Sequence, residues 1–544
     1  MRVGLALGLL VATGLVAAGL TDCGGGSSTP PPSQPPSGSP PPPSAQTDVT
    51  TYHDDVARTG ANLTETVLTP ANVNAASFGL LHLLAVDGRV DAQPLYLSHL
   101  AIAGASHNVV FAATEHDSVY AFDAQTGATL WQISLLGSGE TPSDDRACGQ
   151  ISPEIGVTST PVIDRNAGPH GAIFVVGMSK DSSSNYHQRL HALDITTGAE
   201  LFNGPATVNP TYSNPAGGQK TFSAGQYAER AALLLVNHTL YTGWTSHCDI
   251  SPYSGWIVGF SESTLAQTAV LNIAADSDSG PSIWMSGGGL AADSANNIYL
   301  LAANGAFDTT LDANGFPRYG DYGNSFLKIS TAGGGLAVAD YFAPSNEVAE
   351  SAADEDLGSG GAMLLPDVTD SGGVVRHLAV GAGKDRNLYV VNRDDMGKFS
   401  ASGNADWQEL DGVLSGGIWS TPAYFNGTVY YGTVGGPLQA FTLVGAKLSS
   451  QPASATSTTF GYPGTAPAIS ANGTSNGIVW AVENSTPAVL HAYDAADLTE
   501  LYNSSQATGG RDNFGAGNKF ITPAIADGMV FVGTPNGVAV FGLL

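Results

Sequence analysis

Positive charge is scarce in this chain. Lys and Arg number 19 against 47 Asp and Glu in 544 residues, a formal net charge of −28. Such a surface repels a phosphate backbone, which excludes nucleic acid as a partner. Cysteine is nearly absent, with three in all. None sits at zinc-finger spacing from another Cys or His, although His247 adjoins Cys248, and no C-x-x-C-H string marks covalent haem. Long helical patterning is missing too. The 68 glycines and 31 prolines, with frequent Thr, Val and Ala, suit short strands joined by tight turns.

The one long apolar run opens the chain. "MRVGLALGLLVATGLVAAGL" has a single Arg before it, the pattern of an export signal, assigned to residues 1–22 and left out of the fold. Residues 23–48 follow as a Gly/Ser patch and a Pro-rich, semi-rigid spacer. The string "LTDC" resembles a bacterial lipobox in which Cys23 is lipidated; Asp22 stands where a small residue is usual, so simple secretion and an uncleaved anchor stay open beside it. The expected location is the periplasm or the cell surface of a bacterium, with the membrane reached only through that lipid anchor. With Cys23 set aside, Cys148 and Cys248 are an even pair in an oxidising compartment. A disulfide is expected, two independent buried thiols being the alternative.

The remainder, 49–544, is repetitive. "TSTPVID", "WSTPAYF", "GTAPAIS" and "FITPAIA" head the clearest units, and "AQPLYL", "RAALLLV", "SGGGLAAD" and "SGGAMLLPD" head four more. Each reads as an inner strand, a hairpin and one or two outer strands, spaced by about 45 to 75 residues. The fold class this predicts is all-β: an eight-bladed β-propeller of four-stranded antiparallel blades, whose sheets hide both faces against their neighbours. "VYAFDAQTGATLW" turns through Gly127, which takes a positive φ, and offers Trp131 for packing between blades. Phe202 and Tyr502 fill the same slot in "LHALDITTGAELF" and "LHAYDAADLTELY". The last unit, "FITPAIADGMVFVGTPNGVAVFGLL", supplies only three strands. An N-terminal strand, 78–86, completes it and closes the ring against residues 538–543.

On "TYHDDVARTGANLTETVLTPANVN", "VYAFDAQTGATLW", "NNIYLLAANGAFD", "DEDLGSGGAMLLPD" and "GAGKDRNLYVVNRDDMG", nearly all of the chain from residue 51 resembles the quinoprotein alcohol dehydrogenase propellers, which use pyrroloquinoline quinone (PQQ). The resemblance implies PQQ over the propeller axis, Ca²⁺ on its carbonyl oxygens, and oxidation of an alcohol or sugar hydroxyl with electrons passed to a separate acceptor. It places the aspartate base at Asp356, calcium ligation at Asn304 with Asp249 as a substitute for the family's glutamate, and a cationic quinone contact at Lys384. Trp284 is the candidate for the cofactor's floor, a few residues before the glycine run 287–289 with which the family's tryptophan aligns. Glu355 stands where the family has the tryptophan of its Trp-Asp pair, and the adjacent-cysteine disulfide is absent.

Strand order gathers these residues at one end of the ring. Glu154, Asp356, Trp419, Arg511 and Lys519 lead into inner strands, while His116, Asp117, His247, Asp249, Asn304, Lys384 and Glu483 occupy second-hairpin turns. Turn residues such as His116, Glu483 and Arg511 read as solvated. Asp356 with Lys384 reads either as a functional pair or as a structural ion pair. Two functions remain: a dehydrogenase acting on a small molecule, or a non-catalytic scaffold that binds a surface protein or glycan through the same mouth. Hydrolysis by paired acids lacks a pair at fixed separation. The chain is expected to be a monomer.

Overall fold

The computed structural model describes residues 47–214 and 218–544. The export signal, nearly all of the spacer and Cys23 lie outside the described residues. Among the described residues, eight sheets of four or more strands follow one another along the chain, with two small hairpins beside them. Blade one is Leu95–Ile102, Ala105–Ala113, Ser118–Asp123 and Thr129–Ser134. The inner strands of the next seven blades are Val162–Asp164, Leu234–Val236, Ala291–Ala292, Met363–Leu364, Ala423–Phe425, Ala468–Asn472 and Ala524–Ala526. All eight overlap the predicted repeat heads, and those of blades one and seven run on past them. Strands such as Ser118–Asp123 and Met529–Thr534 are buried at every residue, because a blade's middle strands are covered on both faces by neighbouring blades and cannot alternate apolar with polar.

The aromatic slot packs blades together as expected. Trp131 Nε1 donates to the Ile195 carbonyl of blade two at 3.0 Å. Gly198 has φ +70°, and a Cβ there would lie 2.8 Å from the indole, so the turn needs glycine for two reasons. Gly127 likewise takes φ +72°. Phe202 stacks on Phe174 of its own blade with ring centroids 6.4 Å apart and packs against a cluster that takes in Leu233 and Leu240 of blade three, and the buried Tyr502 donates its hydroxyl to Asp512 at 2.7 Å.

Closure by mixed termini is also present. Phe78–Ala85 runs antiparallel to Gly537–Leu543, from Phe78 opposite Leu543 to Ala85 opposite Gly537. Phe78 is fully buried and meets Trp480 and Tyr502 of blade seven at 5.4 and 5.0 Å and Phe541 of blade eight at 6.3 Å.

A second closure was not legible in the repeats. Residues 49–62 pass through the axial channel and bond to every blade's innermost segment in turn. Val49 pairs with Tyr96 of blade one, and the Thr50 carbonyl accepts from Ile163 N of blade two. Arg58 reaches the Leu233 and Leu290 carbonyls of blades three and four. The carbonyls of Val56, Ala57, Thr59 and Gly60 accept from Ala292, Leu364, Tyr424 and Ile469 in blades four to seven. Asn62 donates to the Ile525 carbonyl of blade eight at 2.8 Å. Innermost strands expose one ladder edge to the channel, and this lacing satisfies part of each. Arg58 is fully buried. A Cβ at Gly289 would lie 2.6 Å from its Nε and one at Gly288 2.6 Å from Thr421 Oγ1, while Gly287 takes φ +91°, so the glycine run 287–289 has a backbone reason at each position.

Candidate functional site

The predicted mouth has two adjoining parts. The first is built on the lead-in to blade five and the second-hairpin turns of blades four and five. Asp356 caps a 3₁₀ turn at Leu357–Ser359, fixed by Asn324, whose side chain bonds the Glu355 carbonyl and Leu357 N. The Asp356 carboxylate is buried; it accepts from Asn304 N at 3.1 Å and lies 3.7 Å from Lys384 Nζ. Burial pushes it up to about 6, against the opposing pull of Lys384 and the Asn304 N–H. Asp354, beside it and exposed, accepts from Lys384 Nζ at 2.8 Å and from Asn304 Nδ2 at 3.0 Å. Asp249 is within electrostatic reach of Asp356 and accepts from Ser246 Oγ at 3.2 Å. The structure thus brings Asp356, Asn304 and Lys384 into contact with one another, while Asp249 of blade three reaches Asp356 only electrostatically.

Their arrangement does not fit Ca²⁺. That ion takes about six to eight oxygen ligands, whereas here an ammonium lies against both carboxylates and the Asn304 amide turns its nitrogen to Asp354. Among the described residues no group of three or more His, Cys, Asp and Glu is placed to hold a metal ion. His247 is buried, bonds the Tyr227 carbonyl at 3.2 Å, and is pushed down to about 4 by burial; it is a neutral structural histidine.

The second part lies over the axis. Trp284, leading into blade four, meets Phe520, leading into blade eight, edge to face at 5.8 Å. Blades four and eight are opposite in an eight-membered ring, so this contact spans the axis. Tyr462 and Trp419 continue the chain of rings at 6.2 and 5.8 Å, and the Arg230 guanidinium lies over Phe520 at 5.0 Å. The Cys148–Cys248 disulfide, present as expected, borders the same cleft through Cys148. Arg89, Arg230 and Lys519 all face it. Sequence reasoning reached Lys519 and Trp284 but missed Arg89, Arg230 and Phe520. Their signal was position: each falls within a few residues of an inner strand, where strand order points to the mouth.

Trp284 and the disulfide supply two walls of the kind a flat cofactor needs. The space between does not admit one. The cleft holds a free volume of about 30 Å³, one or two waters, where small-molecule sites run to about 300 Å³ or more. PQQ does not fit this arrangement of rings. The other expected mouth residues divide: His116 pairs with Glu154 at 2.9 Å and Glu483 with His491 at 3.6 Å, both as side-chain pairs rather than free solvated turns. Arg511 is a correction. It bonds Asp512 and the carbonyls of Ala75 and Phe78, which places it at the start of the closing strand. That end of the strand is opposite Leu543, away from the mouth.

No protein-family model matches the chain, and no curated protein matches it in sequence. Solved structures do. The quinohemoprotein alcohol dehydrogenase of Comamonas testosteroni is similar with a TM-score of 0.59 at 14% identity, over 91% of this chain and 80% of that one. A quinohemoprotein alcohol dehydrogenase of Pseudomonas putida HK5 gives 0.58 at 14% over the same shares. A europium-containing methanol dehydrogenase gives 0.54 at 13%, over 91% of this chain and 98% of that one. At such identities the likeness is one of fold: this chain is an eight-bladed propeller of the kind on which quinoprotein alcohol and methanol dehydrogenases are built.

Proposed function

We propose that this protein is an exported ligand-binding propeller that keeps the dehydrogenase fold and mouth without the quinone chemistry. One observation carries the reading: the Trp284–Phe520 contact joins opposite blades across the axis and leaves about 30 Å³ where a flat cofactor would lie. The Lys384 ammonium, in contact with Asp354 and close to Asp356, takes the place that a Lewis-acid cation would need. What this chain's own residues do is hold charge in place. Asp356, buried and poised near pH 6, is positioned by Asn304 N and Asn324, and Lys384 keeps its anionic form accessible.

A second reading, a dehydrogenase, is favoured by Asp356 itself, because a buried carboxylate near 6 beside a cation is a suitable general base. PQQ, when bound, would supply the hydride acceptor. Mixing the purified protein with PQQ and Ca²⁺ separates the two readings. The binding reading expects no retained quinone absorbance after desalting, no rise in melting temperature and no dye reduction with alcohols or sugars. Retained quinone and dye reduction that vanish in Asp356→Ala, with the fold intact, would overturn it.

A further inference from the structure

Positive charge gathers at the axial cleft with few acids to balance it. Of 19 Lys and Arg in the chain, Arg89, Arg230 and Lys519 converge there from the segments leading into blades one, three and eight. Arg230 has a side-chain exposure of 6%, and its Nη1 makes no hydrogen bond; its one ionic neighbour, Asp91, is 3.7 Å away. Arg89 is anchored from behind, with Nη1 donating to Asn518 Oδ1 at 2.6 Å and Nη2 to the Ser152 carbonyl at 3.2 Å. Its buried Nε is unbonded. Lys519 is held below the usual ammonium range by burial, with Arg230 and Arg89 adding to the effect against the pull of Asp91.

The nearby acids do not neutralise this set. Glu115 is buried, pushed well above the carboxylate range by burial and by Asp91, and its Oε2 accepts from Gly156 N and Thr158 Oγ1 rather than from the cations. Glu229, next to Arg230, is also pushed well above that range by burial. Asp91 lies 3.7 Å from Arg230 Nη1 and already accepts from Asn518 Nδ2 at 2.5 Å, and Asp145, which also lines the cleft, has its carboxylate turned to Ala147 N at 3.0 Å.

A buried guanidinium with a free N–H is costly unless a ligand completes it. We infer that the axial cleft is a receptor for the carboxylate head of a small organic acid, received by Arg230 and Lys519 beside the Trp284–Phe520 contact. The inference rests on the binding reading above. Carboxylate is favoured over phosphate for two reasons. The free volume suits a flat three-atom head, and Asp91 repels a second negative charge. A guanidinium already stacked on Phe520 offers its fork to a planar acceptor in the geometry that carboxylates match. The acid's body would project past the rings toward the opening.

Thermal shift and calorimetric titration with sodium benzoate test this, with benzyl alcohol as the neutral analogue and inorganic phosphate as the tetrahedral one. The expected result is saturable stabilisation by benzoate alone, weakened about tenfold or more in Arg230→Gln, since a charged hydrogen bond is lost. Lys519→Gln, at a half-buried position, serves should Arg230→Gln fail to fold. Quenching of fluorescence by benzoate in the wild type and its loss in Trp284→Phe would locate the ligand. No stabilisation by benzoate, equal stabilisation by benzyl alcohol or phosphate, or an unchanged response in both charge variants would overturn the assignment. The outcome is independent of the quinone test: retained PQQ with dye reduction refutes the binding reading, whereas a silent benzoate titration with silent PQQ refutes only the carboxylate.

Discussion

Arg58→Met tests the lacing of the ring through its channel. The guanidinium donates from Nε to the Leu290 carbonyl at 2.9 Å, from Nη1 to Thr51 Oγ1 at 2.7 Å and the Tyr52 carbonyl at 2.8 Å, and from Nη2 to the Leu233 carbonyl at 3.1 Å. Methionine fills much of the volume and leaves these three buried carbonyls, and the part-buried Asp55 carbonyl 3.3 Å from Nη1, without those donors. At about 1 to 3 kcal/mol for each buried group left unpaired, the loss is about 6 kcal/mol. A compensating term opposes it. Burial pushes Arg58 down to about 10, so removing the charge returns about 3 kcal/mol of desolvation. The net expectation is destabilisation by about 3 kcal/mol. Unfolding entropy near 2.1 cal/mol/K per residue gives about 1 kcal/mol/K for a body of this size, so the melting temperature should fall by about 3 °C if the ring melts as one unit. Calorimetry with urea titration as a second measure reads this. Arg58→Lys should be no better, since one ammonium cannot reach blades three and four together. Arg58→Met within 1 kcal/mol of wild type would refute the lacing as a source of stability and leave it a passive filler.

Other outcomes follow from the same geometry. Phe78→Ala should lose about 3 to 5 kcal/mol in denaturant titration, because its fully buried ring is shared by blades seven and eight. Leu83→Ala, 57% exposed on the same strand, should lose almost nothing, and equal effects would refute closure by that strand. The helix Glu347–Ala353 buries two carboxyls: burial pushes Glu350 up to about 8, with Asp385 adding, and Glu347 up to about 7. The folded state therefore holds protons that the unfolded chain has released above about pH 4.5, and stability falls as pH rises from there to about 8. Glu350→Gln should be neutral at pH 4 and stabilising at pH 9. The full displacement would be worth about 5 kcal/mol, and the helix lies at the surface with Val348 59% exposed, so screening leaves about 2 kcal/mol. A melting temperature that rises with pH across this window in the wild type would contradict the assignment.

The blade count, the closing strand and the shared mouth were legible in sequence because each rests on local chemistry that repeats. Thr-Pro heads mark inner strands, Gly127 and Gly198 mark turns, and Trp131, Phe202 and Tyr502 mark the seams. Asp356, Asn304 and Lys384 could be brought together on paper because strand order alone fixes which turns share an end. The channel segment 49–62 could not. It occurs once, so no repeat betrays it, and its bonds to eight separated blades mix backbone carbonyls with the Arg58 and Asn62 side chains. Nor could the sequence tell that Trp284 would meet Phe520 across the axis, 236 positions away, or that Arg230 would be left with a free N–H. Sequence determined the elements and the end of the ring to which polar turns go, since those follow from alternation and turn geometry. The tertiary structure decided how much room is left at the axis and which charges are compensated there, because both depend on side chains converging from opposite blades.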